Sequence, residues 1–154
     1  MSNAGDVNGD GIDDLIVGAT GNDAGGTDAG AAYVVYGRSG GRSNLDLSTL
    51  TAADGFRIIG DAAGDRAGYS VSNAGDVNGD GIDDLIVGSP YINADGFRAG
   101  AAYVIYGRSG GRSDLDLTSL SAADGFRIIG DVAGDEAGYS VSVAGTSTAT
   151  ASTT

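Results

Sequence analysis

Short apolar runs, none longer than a strand, alternate along this chain with clusters of Gly, Asp, Asn and Ser. In the better punctuated half, Gly68–Ser72 alternates apolar and polar as a half-buried strand does. Asp84–Gly88 is a continuous apolar run that fits a strand buried on both faces. Ala101–Gly107 is rich in aromatic and β-branched residues, and Phe126–Gly130 is the fourth run. Turn-forming residues bound each one, which predicts four short antiparallel strands. Glycines interrupt every window long enough for a helix, so helix is not expected.

The same pattern occurs twice. Residues 2–71 align without a gap to residues 72–141, an offset of 70 (72 − 2), and roughly four-fifths of the positions are identical, the signature of a structural repeat. The stretch from Gly5 to Gly18 recurs unchanged from Gly75 to Gly88. Differences gather at residues 19–28 against 89–98, as expected of a surface loop on a fixed scaffold.

The phase of the repeat divides the chain into a first unit over residues 1–67 that lacks most of its first strand, and a second unit over 68–136. Residues 137–145 form a surplus first strand, followed by a Thr/Ser/Ala tail over 146–154 that is expected to be disordered. A spare strand at one end and a deficient edge at the other predict exchange between copies, which removes unpaired edges. Leu45-Asp46-Leu47 and Leu115-Asp116-Leu117 are expected to tuck leucines onto a neighbouring surface.

Composition narrows the functional classes. The chain has 154 residues, 29 of them glycine, with one proline, Pro90. All eight basic residues are arginine, and 21 acids bring the net charge to −13, which repels nucleic acid and anionic membranes. With no cysteine or histidine there is no thiolate or imidazole metal site. No apolar run is long enough to span a membrane. Residues 1–20 carry no basic stretch followed by an apolar run, so no signal peptide is expected there.

The duplicated acidic loop is where chemistry is expected. Asp6, Asn8 and Asp10 place alternate side chains toward one point, Gly11 permits a sharp turn, and the Ile12 carbonyl and Asp14 carboxylate complete an oxygen cage. The second loop repeats this with Asp76, Asn78, Asp80, Ile82 and Asp84. Oxygen ligands alone suit Ca2+ better than Mg2+ or a transition metal, so two Ca2+ per chain are expected. An EF-hand requires a Glu at the twelfth loop position, where Val17 and Val87 stand instead. Dockerin-type loops fail on the same residues, because Leu15-Ile16-Val17-Gly18 reads as strand.

With those residues in place, the chain resembles the FG-GAP repeats of integrin α-subunit β-propellers. The likeness lies in Gly68-Tyr69-Ser70-Val71, the acidic loop, Leu-Ile-Val-Gly, Gly88-Ser89-Pro90, Gly100-Ala101-Ala102-Tyr103-Val104 and the Phe126–Gly130 strand, and covers residues 2–143. Ala67 replaces the Phe of Phe-Gly, and the first copy has Gly18-Ala19-Thr20 without Pro. The resemblance implies an all-β fold of four-stranded blades, with calcium between the first and second strands of each. It also implies a non-catalytic scaffold for adhesion or for protein or glycan binding, outside the cell or at its surface. Propellers close with roughly four to eight blades, so this two-blade chain is expected to form a homo-oligomer of three or four copies. A designed or minimal repeat that self-assembles without a ligand is the alternative reading. A metal-dependent hydrolase is disfavoured, since the clustered acids are accounted for as cation ligands and no Gly-x-Ser-x-Gly occurs. Tyr91, Phe97 and Arg98 in the variable loop, and the exchange of Arg66 for Glu136, mark where the two units differ in surface chemistry.

Overall fold

The computed structural model describes residues 1–144, and these are all β with two short 3-10 turns, Leu47–Thr49 and Leu117–Ser119. The first sheet contains β1 (Ser2–Gly5), β2 (Asp14–Ala19), β3 (Ala31–Val35) and β4 (Gly55–Ile59). Its counterpart contains β5 (Ser70–Gly75), β6 (Asp84–Ser89), β7 (Ala101–Ile105) and β9 (Gly125–Ile129). Within each group the strands lie in chain order and pair antiparallel, the pattern expected of propeller blades. The expected tail over 146–154, and Gly145, lie outside the described residues.

Strand bounds follow the apolar runs to within a few residues. The strand expected over Gly68–Ser72 instead starts at Ser70 and runs on to Gly75. Gly68, at φ +85°, and Tyr69 both donate their N–H groups to the Gly88 carbonyl, so the chain is still turning onto the sheet there. Near the other end, pairing shifts register between Asn73 and Gly75, as it does between Asn3 and Gly5. This bulge, with Gly75 at φ +74° and Gly5 at φ +72°, bends the strand into the acidic loop.

An additional strand, β8 (Leu115–Asp116), belongs to the second unit in sequence but to the first sheet in space. It pairs parallel with β4 through Ile58 and Leu115. The expected leucine contact therefore exists in the second copy, with Leu115 and Leu117 at most 9% exposed. Leu45 and Leu47, their counterparts in the first unit, are only half-buried and pair with no strand among the described residues.

The apolar core is the joint between the two sheets. The first contributes Val7, Ile16, Val34, Phe56 and Ile58, and the second Leu85, Val87, Tyr103 and Ile105. Two faces are used because each strand alternates its side chains: Ile16 and Ile58 point to one side of their sheet, Leu85 and Val87 to the other side of theirs. The Asp84–Gly88 run was expected to be buried on both faces, but only the Leu85 and Val87 face is fully covered and Ile86 is half-buried, while its twin in β2 leaves Leu15 exposed. Gly138–Ser142, read as a surplus strand, is not in a strand within this single chain.

Candidate metal centre

Both acidic loops form tight, hydrogen-bonded coils at the β1–β2 and β5–β6 connections. In the first, Asp6 Oδ1 accepts the N–H groups of Gly9 (2.7 Å) and Asp10 (3.1 Å), while Oδ2 accepts that of Gly11 (2.8 Å). Asn8 Oδ1 accepts the Asp10 N–H at 3.0 Å, and Asp10 Oδ1 that of Ile12 at 2.9 Å. Gly11, at φ +88°, makes the sharp turn expected of it. The second loop repeats the set, with Asp76 accepting from Gly79 (2.7 Å), Asp80 (3.1 Å) and Gly81 (2.7 Å). Asn78 accepts from Asp80 at 3.3 Å and Asp80 from Ile82 at 2.9 Å.

Asp14 and Asp84 close the two loops from the first residue of the following strand and are fully buried. Asp14 Oδ2 accepts the Val7 N–H at 2.9 Å and Oδ1 the Gly37 N–H at 2.8 Å. For Asp84 the donors are Val77 and Gly107, both at 2.8 Å. Burial pushes the Asp14 carboxyl above the usual carboxylate range against the pull of the Gly37 and Val7 N–H groups, and the charges of Asp10 and Asp6 push the same way. Asp84 is raised by burial too, opposed by Gly107 and Val77 and assisted by Asp80 and Asp76.

These residues fit a hard cation in donor chemistry. All side-chain ligand atoms on offer are oxygens, and backbone N–H groups fix the orientation of each carboxylate, the role of outer-shell partners at metal sites. A buried carboxylate that feels two further carboxylates is a costly arrangement which a divalent ion relieves. Among the described residues no three acidic side chains are gathered tightly enough to enclose an ion unaided. The structure thus brings Asp6, Asn8, Asp10 and Asp14 into one hydrogen-bonded loop, and likewise Asp76, Asn78, Asp80 and Asp84, with Ile12 and Ile82 at the turn.

The acid beside each loop-closing carboxylate has a role that the sequence pattern does not show. Asp83 Oδ2 accepts the Asp6 N–H at 3.0 Å, so the second unit grips the first loop. Arg108 and Gly110 donate N–H groups to the carbonyls of Val7 and Asn8 at 3.0 and 2.9 Å. The doubled Asp-Asp was the available signal, since one acid of each pair has no place in the ligand pattern.

At the opposite end of the blades, Arg98 and Arg66 stack on Tyr91, their guanidinium carbons 4.7 and 5.4 Å from the ring centre. Phe97 stands beside them, 70% exposed. Arg98 pairs with Glu136 at 3.8 Å, so the exchange of Arg66 for Glu136 does give the second unit an ion pair, exposed and weak.

The FG-GAP repeat family model matches residues 3–35 and 67–105, which span both acidic loops and the strands that flank them. Integrin alpha-PS2 of Drosophila melanogaster is 36% identical over 107 residues, covering 66% of this chain and 7% of that protein. Integrin alpha pat-2 of Caenorhabditis elegans is 34% identical over 128 residues, covering 77% of this chain and 10% of that protein. The phosphatidylinositol-glycan-specific phospholipase D of Bos taurus is 34% identical over 139 residues, covering 84% of this chain and 16% of that protein. This chain belongs to the FG-GAP repeat family and is a homologue of integrin α subunits. It spans less than a fifth of the length of each of these relatives.

Proposed function

We propose that this chain is a non-catalytic propeller scaffold whose blades are held by calcium, one ion in each acidic loop, and that it serves adhesion or protein or glycan binding outside the cell or at its surface. The observation that carries the calcium reading is the pair of fully buried carboxylates, Asp14 and Asp84, each closing an all-oxygen loop. The integrin α relatives support the scaffold role. One relative is named as a phospholipase; in this chain the loop carboxylates accept backbone N–H groups, which suits ion ligands held in place by their own loop. No helix among the described residues is long and apolar enough to cross a membrane. The cleft of Asp28, Arg66, Tyr91, Phe97 and Arg98 sets two guanidiniums beside exposed aromatic surface and is where a ligand would meet the most varied chemistry of the chain.

Ions that bind the folded chain far better than the unfolded one stabilise it by mass action. Thermal unfolding followed by circular dichroism should show a higher Tm in calcium than in chelator. Asp6→Ala with Asp76→Ala should remove that difference. A melting curve indifferent to chelator would refute structural calcium.

A further inference from the structure

We propose that the two open flanks of this chain are the two halves of one joint, and that a second copy of the chain closes it head to tail to build a ring. The proposal rests on the propeller reading above and goes further in naming the partner and the contacts. Its template is the joint already present inside the chain. There Val7, Phe56 and Ile58 of the first unit are at most 3% exposed, packed with Leu85, Leu115 and Leu117 of the second unit.

The same residue types recur 70 places away without a second sheet over them among the described residues. Val77, Phe126 and Ile128 are 48%, 43% and 46% exposed on one flank, and Leu15 is 47% exposed on the other. Each open flank repeats most of one side of a contact that the chain itself makes, with Val35 in place of Ile105 and Asn44 in place of Asp114. A dimer made through a single face would set like flank on like flank, whereas this joint needs unlike flanks. Association is therefore heterologous, and the turn from blade to blade closes it into a ring.

Polar groups specify the register. Inside the chain Asp83 takes the Asp6 N–H, and Arg108 donates to the Val7 carbonyl. Between copies, Asp13 takes the Asp76 N–H and Arg38 donates to the Val77 carbonyl. A space is also open for the ring of Tyr106. A Cβ at Gly111 would meet the Tyr36 hydroxyl, while one at Gly41 would meet nothing within 4 Å. Gly41 is the position that receives Tyr106 of the neighbouring copy.

The exchanged strand completes the joint. β1 pairs with β2 as far as Ile16, whereas β5 continues along β6 to Val87 and Gly88. Val17 and Gly18 therefore lack the partners that Val71 and Ser70 give their counterparts. Val141 and Ser140 of another copy carry the matching residues, and they leave the second sheet after Gly138 as β5 leaves the first after Gly68.

Light scattering on the eluting 154-residue chain in calcium tests this directly. The expected result is one species at three or four times the 15.0 kDa chain mass. Phe126→Asp, a substitution at an exposed position, should return it to a single-chain mass while its calcium-dependent melting persists. Leu45→Cys with Ile128→Cys, in a chain that has no other cysteine, should under oxidation give covalent multimers that stop at the ring size. A wild-type chain that runs as a folded monomer with its calcium response intact overturns the joint and leaves the scaffold reading standing. A dimer that the Leu45→Cys, Ile128→Cys pair does not cross-link, or an open-ended filament, overturns it as well. Loss of both assembly and calcium response overturns the two together.

Discussion

Phe56 and Phe126 occupy the same place in the same sequence, Gly-Phe-Arg-Ile-Ile, on equivalent strands, yet one is 3% and the other 43% exposed. Ile58 and Ile128 differ in the same way, at 0% and 46%, and Val7 and Val77 at 2% and 48%. Leu15 and Leu85 differ in the reverse sense, at 47% and 1%, because they face the opposite side of their sheets. Local sequence is held constant in each pair, so burial here is decided entirely by whether a sheet stands alongside. The pairs separate what a residue does for its own blade from what it does for the joint.

The largest expected split is at the aromatic pair. Phe56→Ala removes a core ring and should cost about 3–5 kcal/mol in urea unfolding. Phe126→Ala, measured at a dilution where copies are apart, should cost less than about 1 kcal/mol. Equal losses under those conditions would mean that the two flanks are not different in the isolated chain.

A smaller split is expected at the acidic pair beside the loops. Asp83 holds the Asp6 N–H across the joint, so Asp83→Ala should cost about 1–3 kcal/mol by leaving that donor unmet. Asp13 accepts only the exposed Asn3 side-chain amide at 3.2 Å, and Asp13→Ala should stay within about 0.5 kcal/mol in the separated chain. Tyrosine hydroxyls give the next contrast. The Tyr36 hydroxyl accepts the Arg112 N–H at 3.0 Å. Tyr36→Phe should therefore cost about 1 kcal/mol, with no matching cost for Tyr106→Phe in a single chain.

The smallest effect concerns a surface ion pair. Arg57 reaches Asp114 at 3.4 Å with the Asp114 side chain exposed and its own partly so, and its backbone N–H also donates to that carboxylate at 2.8 Å. The first unit carries Asn44 at the equivalent place. Asp114→Asn keeps an acceptor for the N–H and should change stability by no more than about 0.5 kcal/mol, less in high salt.

How far the sequence reached follows from which interactions are local. The eight blade strands were legible because apolar runs and glycine punctuation are properties of a few adjacent residues. The loops were legible because the acids, the amide and Gly11 act within nine residues of chain. β8 was not, since Leu115 and Asp116 become strand only by meeting Ile58 and Ile59 of the other unit. Asp83 reads as part of the second loop yet serves the first, and only the packing of two blades makes that visible. Leu15 was expected inside and lies outside, because periodicity reports a face able to be buried and not the partner that covers it.

Titration of the metal-free chain with calcium, followed by calorimetry, bears most directly on the central claim that the paired oxygen loops are ion sites. The account predicts uptake of two ions per chain, one for each loop, and a single affinity class when the ring makes both loops equivalent. No heat beyond dilution, or saturation at one ion per chain, would contradict it.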